Sequence, residues 1–348
     1  MIEAFTIVAA IAIILVLVFD CSNGFHDSAN IIATVIASRA MTPAMAVLIV
    51  GVFEFIGPLL SGTAVANTIG SVVDLSEVER LDAVRIILCA VSGAVLWNIV
   101  TWWKGLPSSS SHALVGGLIG AVANSVGGHH VVWGFSELMR GNVTGVTKVL
   151  LALLISPFAG FVCGFIIHKV VRRLLSRAST KANRWLRGLQ YVTSMGLAFS
   201  HGSNDAQKSM GIITLVLMLA GWQEGFHVPF WVVLACSISL TVGVMSGGWR
   251  IVRTLGFAIY RVRPLHAFDS QLASSAVIIA ASLVGAPVST THVVSTTIMG
   301  VGAAEHPRAV RWKKAEEIAW TWVITLPGAA LMAIFIGALF HAGAGLFQ

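Results

Sequence analysis

The chain has 348 residues, of which 56% are apolar and only 11% charged; its mean hydropathy is +0.86 and its formal net charge is +7. Soluble domains carry about 25% charged residues. A soluble enzyme or nucleic-acid-binding domain is therefore excluded, and the positive charge is read as membrane topology. The four cysteines (Cys21, Cys89, Cys163, Cys236) lie far apart in or beside apolar runs, so neither a metal site nor a disulfide framework is expected.

The first apolar run, residues 2–19, carries Glu3 where a signal peptide would be basic, and it leads straight into the polar motif NGFHDSAN (23–30). It predicts a first span, 2–38, broken at that motif, with Arg39 at its inner end. A second span, 41–66, leads to the segment 74–82, which holds four acids and one arginine. Residues 83–126 enter and return, turning at 105–107 beside PSSSSH (107–112). The arm 83–104 is either a full span or half of a re-entrant hairpin. Residues 143–168 cross to a linker, 169–187, with Lys169, Arg172, Arg173, Arg177, Lys181, Arg184 and Arg187 and no acid. The plan then repeats. Span 188–220 is broken at HGSNDAQK (201–208), 228–248 returns, 269–302 turns at 285–287 beside PVSTTH (287–292), and 315–341 ends the series. A core crossing needs about 20 apolar residues, which the runs 149–167, 228–245 and 318–340 approach or exceed.

Asp27 and Asp205 stand 178 positions apart, and Pro107 and Pro287 stand 180 apart. Two motif pairs with nearly one offset, close to half the chain, mean an internal duplication. Basic stretches at 169–187, 250–263 and 308–314 belong in the cytoplasm by the positive-inside rule, while 74–82 and 221–229 suit the outer face. Both termini are then outside and the halves run in opposite senses. The expected fold is an all-α polytopic membrane protein of two inverted repeats, 1–168 and 188–348, with broken helices and paired helical hairpins. That is the sequence picture of a secondary transporter, whose polar breaks mark its substrate site.

A carboxylate at the centre of a membrane helix costs roughly 2.5–3.5 kcal/mol on insertion scales, so Asp27 and Asp205 need compensation. Asn23, Asn30, Asn204 and Gln207 supply amides, while Gly24 and Gly202 allow the turn of a broken helix. The set suits a cation or a proton; a purely structural polar break is the plainer alternative. His26, with an ordinary pKa of about 6.5, is either a proton site coupled to Asp27 or a neutral substitute for Asn. Lys208 neutralises Asp205 or a bound anion, and His201 supports the second motif. Each PSSSSH-type motif follows Gly-x-Pro and marks a helix start, whose free N–H groups attract anions. Ser109, Ser110 and Ser111, with Ser289, Thr290 and Thr291, add hydroxyl donors, and His112 and His292 are expected to orient them. The plainer reading is that these hydroxyls only cap helices. Two such ends facing one another would enclose a tetrahedral oxyanion. Protonated phosphate can donate to a carboxylate and sulfate cannot, so phosphate is favoured. His129, His130, His227, His266, His306 and His341 receive no role. An intramembrane hydrolase using Ser, His and Asp, and a channel, are the competing classes.

These four motifs, in this order over nearly the whole chain, resemble the inorganic phosphate transporter (Pit) family. The resemblance implies symport of inorganic phosphate with a cation across the bacterial plasma (inner) membrane. It implies signature positions at Asp27, Asn30, Asp205 and Lys208, and a phosphate site lined by Ser109, Ser110, Ser111, Ser289, Thr290 and Thr291. The GFHD form, with His26 where the second motif has Asn204, resembles the bacterial low-affinity branch. That branch takes phosphate or neutral metal–phosphate complexes with protons. Sodium coupling and a sulfate permease of the same fold are the alternatives. No cofactor, resident metal or nucleic acid is expected; the partners are phosphate, the coupling cation, the lipid bilayer and a possible second copy of the chain.

Overall fold

A computed structural model describes residues 2–179 and 181–345; residue 180 of the linker, and residues 1 and 346–348 at the ends of the two predicted halves, lie outside them. Every regular element among the described residues is helical, apart from one isolated bridge between Val73 and Val131. The first half holds α1 (Ile2–Ala37), α2 (Pro43–Leu60), α3 (Ala64–Gly70), α4 (Arg80–Trp103), α5 (Ser110–Ser125), a short α6 (Phe135–Met139) and α7 (Gly145–Leu174). The second holds α8 (Ala182–Leu219), α9 (Phe230–Ser246), α10 (Trp249–Arg253) with a π turn at Thr254–Ala258, α11 (Pro264–Leu283), α12 (Thr290–Glu305) and α13 (Trp312–Gly345). Apart from α6, the order is the same in both: a long helix, a broken pair, a hairpin, a long helix.

The chain is an all-α membrane protein. Five helices (α1, α2, α4, α7 and α13) are long and apolar enough to cross a bilayer, and α9 with its continuation makes a sixth across a 68° bend. The most apolar window of α7 is only 22% buried against 61% for α4, so α7 faces outward while α4 lies inside. Residues 200–217 of α8 are buried without exception. A helix enclosed on all sides can carry polar residues facing other protein, which is why α8 lacks the hydropathy of a lipid-facing span. The halves interlock: α1 packs on α9 and α8 on α2, while α7 packs on α12 and α13 on α5.

The structure corrects the expected breaks. α1 and α8 run without interruption through residues 23–30 and 201–208. Gly24 and Gly202 are not turn residues. A Cβ on Gly24 would lie 2.2 Å from the Leu240 carbonyl oxygen, and one on Gly202 would lie 2.4 Å from that of Glu54. They are glycine because α9 and α2 press against them there. The breaks fall instead at 61–63, between α2 and α3, and at 247–248, between α9 and α10. Helix also enters both sides of the basic linker, since α7 runs to Leu174 and α8 starts at Ala182.

The loops sort by charge. At one end, the segment containing Asp74 pairs with the 128–131 turn through Val73 and Val131, Phe226 covers Gly70, and Arg80 lies against Gly221. At the other, Ser38 Oγ donates to Gln190 Oε1 (2.6 Å), Gln190 Nε2 donates to the Pro264 carbonyl (3.2 Å), and Arg172 pairs with Glu305 (2.9 Å). So α1 ends where α8 and α11 begin, and α4 begins where α8 ends.

Candidate functional site

The hairpins create two helix starts in the protein interior. α4 ends at Trp103 and α11 at Leu283, and each is closed by a glycine with the same left-handed φ of 66°, Gly105 and Gly285. The N–H of Leu106 reaches the Thr101 carbonyl and that of Ala286 reaches the Ala281 carbonyl, both at 2.9 Å, the six-to-one closure of a Schellman motif. Only glycine adopts that φ without strain. After a proline in each copy, Ser109 and Ser289 cap the next helices by accepting the backbone N–H of His112 (3.2 Å) and His292 (3.3 Å). α5 and α12 therefore start at Ser110 and Thr290.

Irregular backbone inside a membrane protein needs polar partners, and most here come from the opposite half. Thr254 donates to the Gly105 carbonyl (3.1 Å) and Trp322 to that of Pro107 (3.1 Å). In return Thr68 donates to the Gly285 carbonyl (2.7 Å) and Ser111 to that of Val288 (3.0 Å).

Continuous helices decide which motif residues meet. Positions i, i+4 and i+7 share one face. On α1 that face is Asn23, Asp27 and Asn30; on α8 it is His201, Asp205 and Lys208. The two faces oppose one another: Asn23 Nδ2 donates to Asp205 Oδ2 (3.2 Å), and His201 Nε2 lies 3.5 Å from Asp205 Oδ2 and 4.0 Å from Asp27 Oδ2. The helix starts complete the cluster. Ser110 donates to Asn23 and lies 3.3 Å from Asp27 Oδ2. Thr290 Oγ1 lies 3.3 Å from Asp27 Oδ2 and 3.4 Å from Asp205 Oδ2. Thr291 donates to Asp27 Oδ1 (3.1 Å) and accepts from Asn30 Nδ2 (3.0 Å). Asp27 and Asp205 are 2% and 0% exposed, so the cluster is closed to solvent on both sides.

Compensation of the two carboxylates is unequal. Asp205 has a fixed cation, Lys208 Nζ, at 2.7 Å. Asp27 has His26 Nδ1 at 2.8 Å, and the other ring nitrogen, Nε2, is held by Ser108 (3.2 Å) and Thr101 (3.4 Å), which bond to each other at 2.8 Å. At the matching positions of the second half stand Val288 and Ala281, which have no hydroxyl. Asp27, His201 and Asp205 each offer one ligand atom within 4.8 Å of the others, a grouping able to hold a cation.

Several expected members lie elsewhere. Asn204 turns off the shared face and donates to Ser282 (2.9 Å) and the Ala286 carbonyl (3.3 Å). Gln207 Oε1 accepts the Val65 N–H (2.8 Å) at the start of α3. Ser109 and Ser289 are spent as caps, and Ser111 ties the hairpin tips. His112 and His292 do not orient the hydroxyls with their rings; the rings face each other at 4.7 Å, and His292 also packs on Trp322 at 3.9 Å.

The phosphate transporter family matches residues 23–333. The chain belongs to that family. It is 39% identical over 329 residues to a probable low-affinity inorganic phosphate transporter of Bacillus subtilis, covering 94% of this chain and 95% of that protein. A namesake from Rhizobium meliloti is 41% identical over 320 residues, covering 91% and 92%. A solved structure titled the sodium-dependent phosphate transporter shares the fold with a TM-score of 0.85 at 23% identity, covering 96% of this chain and 99% of that one. With relatives named as transporters, the family's business is transport, and the hydrolase reading is set aside.

Three buried acids of the family member escaped the sequence reading, among them Asp269 on α11, which lies 2.6 Å from His168 Nδ1. Glu54 on α2 lies 2.5 Å from His201 Nδ1, and Asp20 on α1 accepts from Ser209 at 2.7 Å. Glu54 and Asp20 are each a lone acid in an apolar run, a signal in itself. Neither is duplicated, since Ala198 stands where Asp20 would repeat, and a search for repeated acids passes over both.

Proposed function

We propose that this family member carries inorganic phosphate across the bacterial plasma membrane by proton-coupled symport, as the free anion or as a metal–phosphate complex, through two inverted repeats. The observation that carries the reading is the convergence of two hydroxyl-bearing helix starts, one from each half, on a pair of buried carboxylates. The N-terminal dipoles of α5 and α12 and the hydroxyls of Ser110, Thr290 and Thr291 favour an anion. A protonated phosphate entering there accepts from the hydroxyls and donates to a carboxylate, a bond that sulfate lacks. In support of inversion, α1 and α8, counterparts in the chain order, end at opposite charge-sorted ends of the bundle. The basic end is then cytoplasmic, with both chain termini outside.

The proton reading rests on the inequality of the halves. Thr290 has one proton to share between Asp27 and Asp205, so a further proton at this pair meets an acceptor already waiting. Lys208 pairs with Asp205 at 2.7 Å, and Asp27 has no such lysine. Asp27 therefore takes and releases the proton, with His26 and its Ser108–Thr101 hydroxyl pair alongside. Sodium coupling is the second reading: carboxylates with hydroxyl and amide oxygens suit a hard cation, and the structural relative is titled sodium-dependent. Uptake of phosphate into proteoliposomes, with proton and sodium gradients imposed separately, tests both. Accumulation under an inward proton gradient without sodium is expected. Uptake that needs sodium and ignores the pH gradient would sink the proton mechanism. Asp27→Asn should abolish proton-driven accumulation, because an amide cannot release a proton.

A further inference from the structure

At the basic end of the bundle, well away from the carboxylate cluster, lies a cavity of about 540 Å³. Arg39, Arg261, Arg263 and Arg311 line it, with Ser38 and Phe257 among the walls. The four arginines come from three separate segments: the end of α1, the turn into α11, and the start of α13. All four are exposed, and no carboxylate of the described residues pairs with any of them. Arg39 is also the only non-glycine among the described residues with positive φ, 56°. That conformation is costly for a residue with a Cβ, and here it accompanies a side chain turned to the cavity rather than to a partner in the fold. Arg311 is fixed by its backbone N–H, which donates to the Ile259 carbonyl at 3.0 Å.

Topology alone asks for basic residues on this side, but it asks only that they lie near the headgroups, each on its own. It does not ask that four guanidiniums surround one hollow. Like charges so placed repel, and the missing partner is an anion. Guanidinium is planar, always charged, and matches phosphate oxygens two at a time. We infer that this cavity is a second anion site, distinct from the transport site, that takes a phosphate ester or anhydride. Between Asp27 and the end of α1 lie ten residues, about 15 Å of helix, so an occupant here does not touch the carboxylates. It would tie the end of α1 to the segments that lead into α11 and α13.

The chemistry has two sources, the headgroup of an anionic lipid or a soluble polyphosphate, and the test separates them. Full-length protein purified in a nonionic detergent is titrated with tripolyphosphate, and binding and thermal stabilisation are read together. In parallel the protein is placed in phosphatidylcholine nanodiscs with and without phosphatidylglycerol, and retained lipid is measured by native mass spectrometry. The variants are Arg261→Gln with Arg311→Gln, and Arg39→Gly. The glycine relieves the left-handed backbone, so that variant keeps its fold while losing the charge. Tripolyphosphate binding that weakens roughly tenfold or more in both variants, and with added salt, assigns the site to a soluble polyphosphate. Phosphatidylglycerol held by wild type and lost from both variants assigns it to a lipid headgroup. If both variants match wild type with both probes, the inference is wrong. Phosphate uptake by the variants in phosphatidylcholine vesicles should equal that of wild type, because none of these arginines reaches the carboxylate cluster.

Discussion

The hydroxyls at the two helix starts offer the sharpest test of the anion site. In the double variant Ser110→Ala/Thr290→Ala, each half loses one donor. In the closed structure these hydroxyls approach Asp27 and Asp205 at 3.3–3.4 Å, long for an O–H···O⁻ bond, which is typically 2.5–2.7 Å when strong. Breaking contacts of that length should cost the fold little and breaking the Ser110–Asn23 bond about 0.5–1.5 kcal/mol, while the long contacts are easily exchanged for a shorter bond to an arriving oxyanion. A hydrogen bond to a charged partner is worth about 1.5–3 kcal/mol. Losing two should raise the phosphate Kd by about two orders of magnitude or more, at 1.4 kcal/mol per factor of ten. Equilibrium binding of radiolabelled phosphate to purified protein, beside a thermal melt, measures both effects. Ser111→Ala is the control, since that hydroxyl serves the Val288 carbonyl. Wild-type affinity in the folded double variant would remove Ser110 and Thr290 from the phosphate site.

Other outcomes follow from the same contacts. Lys208→Met strips a buried carboxylate of its cation and should cost about 3–5 kcal/mol of stability; adding Asp205→Asn should restore much of the melting temperature but not transport. Gly202→Ala places a methyl 2.4 Å from the Glu54 carbonyl oxygen, forcing α8 from α2 at a cost of about 1–3 kcal/mol, seen as a lower melting temperature and reduced uptake. His26→Asn gives α1 the residue found at Asn204, and it should weaken the pH dependence of uptake while the pH dependence of wild type persists. Cysteines introduced at the exposed positions Ser179 and Ser76, in a background without native cysteines, should react with an impermeant reagent from the cytoplasmic and outer faces respectively. Labelling of both from one face would overturn the topology.

Much of this was legible because the chain says it twice. The starts of α5 and α12 fall at Ser110 and Thr290, where Gly, Pro and hydroxyls mark them in both copies. The motif helices were misread because glycine has two uses that look alike in sequence. At Gly105 and Gly285 it turns the chain; at Gly24 and Gly202 it lets another helix in. Only the tertiary packing distinguishes them. Once α1 and α8 are known to be continuous, helical spacing selects Asn23, Asp27, Asn30, His201, Asp205 and Lys208 for the cluster and turns Asn204 and Gln207 away from it. Glu54 stands out locally as a lone acid in an apolar run, but its partner is 147 positions distant, and nothing local points to His201.

The satisfied carbonyls at the hairpin tips bear on how such a chain can come into being. Gly105 and Pro107 depend on Thr254 and Trp322, while Gly285 and Val288 depend on Thr68 and Ser111. Neither half is self-sufficient: alone in a bilayer, each would leave bare peptide groups in hydrocarbon. In synthesis the first tip must therefore wait for the segments that carry Thr254 and Trp322, and the first half reaches its final packing only as the last helix, α13, is inserted.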